Sequence, residues 1–367
     1  MTREEKALGA LDVASSAGVE IGPLANPLVR RAAGRIRYAD HASTAELREK
    51  YAGHGWDTAA IVDVDLNLHG KTLAQALGGE RVDYVIASHV IEHVPDLVSW
   101  LADLHQCLGG RGAVSLIIPD QRLCFDAQRP LSTTGELFEA FEQRRTRPSL
   151  RQVFDFWTLY SQVDSAAVWS GAVDTSTLPR AGTLRNAREK CEDLAQTSGY
   201  ADVHCWVFTP ASFLERCAEL AELGLLPFGV ERFFPTARGD LDFFVTLRAV
   251  PDGESAEGRA ARVAEFRRQA ALAAEGPMPA VSAASLQRLF RAEQQLAAAE
   301  GRLAEAERLA AERGERQRAA EQTVQELSRA LEEMSSSTAV RVARALHGLS
   351  PGAHRAIGAA ARLLRRR

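Results

Sequence analysis

Residues 83–96 read DYVIASHVIEHVPD, and the fold turns on whether they form one helix or a strand followed by a loop. His89, Glu92 and His93 spell H-x-x-E-H, a zinc signature in which two histidines grip a metal from one helix face and the glutamate is the general base. Such a site requires an unbroken helix. Pro95 opposes it, because the proline ring pushes Val94 out of the α region and ends any helix at His93. DYVIAS is apolar enough to be a strand buried on both faces, stopping at Ser88. HVIEHVPD then becomes the loop at the carboxyl end of a parallel strand, facing a ligand cleft. No metal is expected there, and a zinc hydrolase stays as an alternative.

The pattern repeats on either side of this stretch. VEI (19–21), IRYAD (36–40), AAIVDVD (59–65) and AVSLIIPD (113–120) read as strands. STAELREKYA (43–52), KTLAQAL (71–77) and PDLVSWLADLHQCL (95–108) read as helices between them, the last with Leu97, Val98, Leu101, Leu104 and Leu108 on one face. This β-α-β-α rhythm predicts an α/β fold, a Rossmann-like, mostly parallel sheet with helices on both faces. The rhythm breaks after Asp120. Residues 121–203 are rich in aromatics and arginine and are expected to form an inserted, substrate-facing cap, with a plain packing subdomain as the alternative. HCWVF (204–208) is expected as a strand, PASFLERCAELAELGL as a helix closed by Gly224, and LPFGVERFF with DLDFFVTLRAV as a final antiparallel pair. The globular domain is expected to span 1–250.

Of the 367 residues, 46% are hydrophobic and 25% charged, the profile of a soluble protein of about two structural units. A net charge of -4 gives no sign of nucleic acid as a partner. The five cysteines include no C-x-x-C pair, so neither a zinc ribbon nor a disulfide framework is implied and a reducing cytoplasm fits. No stretch approaches the ~20 apolar residues that span a bilayer, and the first residues lack the apolar core of a signal peptide.

A polar linker is expected over 251–282. From Leu289 to Met334 one heptad register holds, interrupted at Arg313 and Gln317, which predicts a coiled coil over 283–335 and a homo-oligomer; a lone Ala-rich helix is the alternative. Residues 336–367 carry seven arginines and, from Ser337, no acid. Apolar spacing there predicts two short basic amphipathic helices broken at Pro351, suited to the anionic inner-membrane surface, or else a solvated basic tail.

Acidic residues close the predicted strands in a telling order. Glu20 ends the first and is followed by Gly22, where a tight turn lets backbone approach a ligand. Asp40 ends the second about twenty residues on, where a nucleoside ribose meets a carboxylate. Asp65 ends the third and suits an adenine amino group.

With these residues the chain resembles the class I S-adenosylmethionine-dependent methyltransferases. The resemblance rests on VEIGP, IRYADHAS, IVDVD, DYVIASHVIEHVPD, LGGRGAVSLIIPD and the final helix and strand pair, covering about residues 15–250. YADHASTAELREKY, SHVIEHVPD, IPDQRLCFD and HCWVFTPASF look like a bacterial subgroup that accompanies surface-polysaccharide synthesis. The resemblance implies S-adenosylmethionine as cofactor, with Glu20 and Gly22 at its methionine end, Asp40 at its ribose, Asp65 near adenine, and Ser88 and His89 near the methyl sulfonium. The family's acidic-x-Gly-x-Gly-x-Gly motif is reduced here to EIGPLANP, which keeps only Gly22 and offers a stiffer turn with fewer amides. Methyl transfer needs two reactants held in line with water excluded, and a sugar or glycan hydroxyl acceptor also needs a base near neutral pKa. His89 is the expected base, ahead of His93 and His204, and the alternative is that the loop histidines only shape the turn while Glu92 caps the helix at Pro95. Arg122, Asp126 and Arg129 are expected to bind a polar acceptor, or else to form an internal ion network. A catalytically silent scaffold working through its coiled coil is the rival from another class.

Overall fold

The computed structural model describes residues 1–274 apart from 54, 56 and 198, together with isolated positions 295, 325, 326, 328–330 and 333. Those positions aside, the expected coiled coil and basic tail lie outside the described residues. The chain divides into two units, Met1–Ala166 with Leu178–Met278, and Ala167–Thr177 with Pro279–Arg367.

Seven strands make up the sheet of the first unit: β1 (Ala17–Ile21), β2 (Arg35–Asp40), β3 (Leu66–Asn67), β4 (Tyr84–Ser88), β5 (Ala113–Pro119), β6 (Phe228–Phe234) and β7 (Asp242–Ala249). Their order is β3-β2-β1-β4-β5-β7-β6. β1 to β5 run parallel, and β7 lies antiparallel to both β5 and β6. All seven residues of β5 are buried, as the continuous apolar run AVSLIIP requires of a strand covered on both faces. Chain direction around the sheet reverses between β1 and β4, where doubly wound folds open a ligand crevice. Register aligns Ile21 with Ala39 and Ala87, Ser88 with Ile117, and Pro119 with Asp242. The carboxyl ends of β1, β2, β4 and β5 therefore meet the amino end of β7 along one edge. β6 carries a register shift between Val230 and Arg232.

The helices are α1 (Arg3–Leu8), α2 (Thr44–Tyr51), α3 (Leu73–Leu77), α4 (Leu97–Leu108), α5 (Thr134–Glu142), α6 (Leu150–Leu159), α7 (Ser165–Trp169), α8 (Leu184–Gln196), α9 (Pro210–Glu222) and α10 (Ala256–Ala274). Capping boxes start several of them, Ser43 with Glu46 at α2, Thr72 with Gln75 at α3 and Thr133 with Glu136 at α5. Strand alternation then sorts the core. Val19, Ile21, Val85, Ala87, Val114 and Leu116 pack with the apolar faces of α4, α9 and α10, while Ile36, Tyr38, Tyr84 and Ile86 pack with Val29 and, less buried, Leu8 and Leu11 on the opposite face.

Three expectations are corrected. The strand expected over 59–65 forms only at Leu66–Asn67, because Thr58–Ala60 turns in a 3-10 helix and Val62 and Val64 bond Leu24 and Thr44 instead of a neighbouring strand. HCWVF is not a strand. Its backbone is satisfied by loops: the amides of Cys205 and Trp206 donate to the Glu92 carbonyl, and the Phe208 and Val207 carbonyls accept from Gln121 and Ser132. The linker expected over 251–282 is largely α10, whose Val263, Phe266, Ala270 and Ala273 are buried in the main core. Its stripe of small and apolar residues is sparse enough to read as polar along the sequence. The fold otherwise follows the predicted Rossmann-like plan. The stretch expected to form the cap, 121–203, is largely helical, with α6 and α8 packing around Val153, Leu194 and Val203.

Candidate active site at the strand ends

The chain leaves β1 through Gly22 in the left-handed region (φ 68°), its amide donating to the Ala39 carbonyl at 2.8 Å. A Cβ at Gly22 would come within 3.1 Å of Val90 in the β4 loop, so glycine lets the two strand-end loops approach. Glu20 does not face the cleft as a free acid. Its buried carboxylate accepts the amides of Leu28 (2.8 Å) and Val29 (3.1 Å) and so folds the EIGPLANP loop back on itself. Burial raises its pKa, an effect those two amides oppose.

Asp40 stands where the sequence places it, at the end of β2 and 3% exposed. Oδ1 accepts from the His41 amide at 2.7 Å, whereas Oδ2 is buried without a hydrogen-bond partner. Asp65 is displaced from its expected place. It precedes β3 rather than closing it, and its carboxylate holds Tyr38 N and Arg31, each at 2.8 Å. Ser88 ends β4 with its Oγ accepting from Arg3 at 3.1 Å.

His89 follows in a left-handed conformation (φ 53°), uncommon for a side chain with a Cβ, while its amide extends the β4–β5 ladder to the Ile117 carbonyl. This twist sets the imidazole between two carboxylates, Nε2 at 3.1 Å from Asp242 Oδ1 and Nδ1 at 3.4 Å from Glu92 Oε1. Burial alone would lower its pKa, but hydrogen bonds and charge from Asp242 and Glu92 outweigh burial and raise it to about 10. The two flanking carboxylates favour the protonated imidazole over the neutral form expected of a base. Arg3 also pairs with Asp242, and burial of that carboxylate is overcome by His89 and Arg3, leaving its pKa lowered.

Past Val90 the loop makes a 3-10 turn over Ile91–His93, and Asp96 rather than Glu92 caps α4, accepting from Ser99 N at 2.9 Å. Glu92 and His93 turn toward the segment that leaves the cap. Trp206 Nε1 donates to the Val94 carbonyl at 2.6 Å and Tyr200 Oη to the His93 carbonyl at 2.7 Å. This seats His204 against His93, ring centroids 4.6 Å apart and edge-on. One donor atom each from Glu92, His93 and His204 lies within 4.8 Å of the others. His89 is not in this group. The helical two-histidine grip therefore does not form, and no spacing in the chain signals His204 as a neighbour.

The trio expected to bind acceptor is turned inward. Arg122 pairs with buried Asp120, which also accepts from Thr236 Oγ1 at 2.7 Å. Arg129 pairs with Asp126 at 2.7 Å, both buried, and Asp126 accepts from His204 Nδ1 at 2.5 Å. The internal network is the arrangement that forms. Leu68, whose amide donates to the Asp40 carbonyl, lines a cavity of about 530 Å³ together with Val94, Pro95, Trp100, Phe141 and Arg145, and Asp40 itself is not in its lining.

No protein-family model matches this chain, and neither does any curated protein. Solved structures similar to it include an S-adenosylmethionine-dependent methyltransferase from Mesorhizobium loti, 16% identical with a TM-score of 0.35, covering 67% of this chain and 97% of that one. The CcbJ methyltransferase from Streptomyces caelestis is 13% identical (TM-score 0.34; 68% and 89% covered). Magnesium protoporphyrin IX methyltransferase from Synechocystis PCC 6803, with bound SAH, is 10% identical (TM-score 0.31; 67% and 80%). At such scores they add nothing to what the strand order itself says.

Proposed function

We propose that this chain is an S-adenosylmethionine-dependent methyltransferase whose cofactor lies across the carboxyl ends of β1, β2 and β4. One observation carries the reading: Asp40, buried at the switch-point edge, keeps a carboxylate oxygen without a partner, beside a glycine turn that brings backbone close. A ribose hydroxyl satisfies that oxygen. The cavity lined by Leu68, Val94 and Trp100 suits the adenine, in place of Asp65. When bound, the cofactor supplies an electrophilic methyl group on its sulfonium. The chain's own residues hold it in line with the acceptor and keep water out, with the cap closing one wall of the cavity. His89, fixed between Asp242 and Glu92, orients the β4 loop rather than taking a proton. The acceptor we propose is a hydroxyl of a sugar or glycan, in line with the resemblance to the surface-polysaccharide subgroup.

Glu20 and Ser88 are engaged by Leu28, Val29 and Arg3, and this favours a second reading, a scaffold that has lost the cofactor. Calorimetric titration of the purified chain with S-adenosylmethionine separates the two. Methyl transfer requires stoichiometric binding, weakened at least about tenfold in Asp40→Ala by loss of a buried charge-assisted hydrogen bond. Absence of binding by the folded chain, or affinity unchanged in Asp40→Ala, leaves the scaffold.

The C-terminal sequence supports a coiled-coil oligomer and a tail that docks a cytoplasmic protein at the inner membrane. Co-sedimentation with anionic vesicles should then need the residues after Ser337 and fall with added salt.

A further inference from the structure

We propose that Glu92, His93 and His204 bind one divalent first-row transition-metal ion. The observation behind this is an orphan. Glu92 is 1% exposed, neither oxygen of its carboxylate has a hydrogen bond of good geometry, and Oε1 meets only the His89 imidazole at 3.4 Å, which leaves Oε2 unengaged. A buried carboxylate oxygen left without a donor is costly in general, even where a neighbouring imidazolium offsets the charge. The surroundings do not relieve it through hydrogen bonds: His204 Nε2 is 4.0 Å from Oε1 and His89 Nδ1 is 3.4 Å from it. The turn that carries Glu92 is itself fixed, since its carbonyl accepts the amides of Cys205 (2.6 Å) and Trp206 (3.2 Å).

The two histidines are prepared as ligands. His204 Nδ1 lies 2.5 Å from Asp126, which leaves its Nε2, 4.0 Å from Glu92 Oε1, for another partner, and His93 Nδ1 lies 3.0 Å from Asp202. Metal-binding histidines are commonly held this way, the outer carboxylate fixing the tautomer and making the inner nitrogen a better donor. Asp126 is itself held by Arg129 at 2.7 Å. Phe125 packs on the His204 ring at 4.6 Å and limits its rotation.

Distances allow the ion. With bonds of about 2.0–2.2 Å, neighbouring donors around a metal stand roughly 3–3.5 Å apart. The three donor atoms here lie within 4.8 Å of one another, so side-chain rotations of about an ångström close the set. His93, with its side chain 33% exposed, marks the way in. Two imidazoles and one carboxylate favour zinc, copper, nickel, cobalt or iron(II) over magnesium or calcium, which prefer all-oxygen shells. Three protein ligands leave at least one position open. The site is distinct from the helical H-x-x-E-H grip, since His89 faces Asp242 and the third ligand comes from the segment entering α9. Ligation would clamp the β4 loop to that segment. The proposal stands or falls independently of methyl transfer.

The test uses the untagged full chain, stripped with chelator and titrated with cobalt(II) while its visible d–d absorption is followed. Zinc content after dialysis is measured in parallel. Expected is one equivalent of metal, bound more than a hundredfold more weakly in Glu92→Gln and His204→Gln, and about 10–100-fold more weakly in Asp126→Asn. His105→Gln, remote from the site, should bind like wild type. Zinc should also raise the unfolding temperature of wild type but not of His93→Gln, a partly exposed position that serves if a buried variant fails to fold. A folded wild-type chain that binds neither metal overturns the proposal. So does binding that survives the loss of each of His93 and His204.

Discussion

Asp242 Oδ1 stands 3.1 Å from His89 Nε2, joining the first residue of β7 to the residue that leaves β4. Because Arg3 of α1 reaches the same carboxylate, one buried acid gathers the amino terminus, the central strand and the antiparallel strand at a single point. Asp242→Ala leaves two cations facing an empty site. Loss of about 2 kcal/mol is expected, the scale of hydrogen bonds to charged groups. Urea unfolding should show it as a lower midpoint at unchanged slope, and an unmoved midpoint would mean that solvent already satisfies both cations.

Arg144 closes α5 with φ 47°, its amide donating to Phe141 and that of Arg145 to Ala140. This is a Schellman arrangement with an arginine where glycine is usual. The Arg144 side chain is exposed. Arg144→Gly should therefore stabilise by about 0.5–1 kcal/mol, relief of left-handed strain exceeding the added chain entropy of glycine. A loss of stability on thermal unfolding would refute the assigned backbone.

Phe266 in α10 is fully buried against the main core. Phe266→Ala should cost about 3–5 kcal/mol, the range for emptying a buried aromatic site. A chain cut after Val250, where the sequence alone ends the domain, should unfold at markedly lower temperature than one cut after 278. Equal melting of the two would show α10 to be dispensable.

Gly18 lies under Tyr84 so closely that an added Cβ would sit 2.1 Å from the ring. Gly18→Ala should cost about 1–3 kcal/mol by overpacking. Tyr84→Leu in the same chain should recover part of it, a coupling that a double-mutant cycle reads directly. Strict additivity would deny the contact.

The sheet was legible because buried parallel strands leave apolar runs and their helices leave 3.6-residue stripes, as in DYVIAS and LVSWLADLHQCL. Pro95 was decisive, and the loop character of HVIEH follows from it. Asp40 was legible for the same reason, being the last residue of a clear strand. What escaped the sequence depends on contacts between distant segments. Nothing local tells that Asp65 turns back to Arg31, that Glu20 is used up by its own loop, or that Asp126 serves His204. α10 was missed because its buried face mixes Ala with Val and Phe, and burial there is decided by α9 rather than by pattern. His89 follows β4 as expected, but Asp242, the carboxylate that meets its Nε2, is supplied only when β7 inserts beside β5.

The two outer strands of the sheet differ in kind from the inner ones. β3 is two residues long, and β6 is broken by a bulge at Val230 and Arg232. Neither presents the long, flat row of unpaired amides and carbonyls that invites another chain to add a strand. Among the described residues neither margin of the sheet offers such an edge, which disfavours the joining of copies through a common β-ladder.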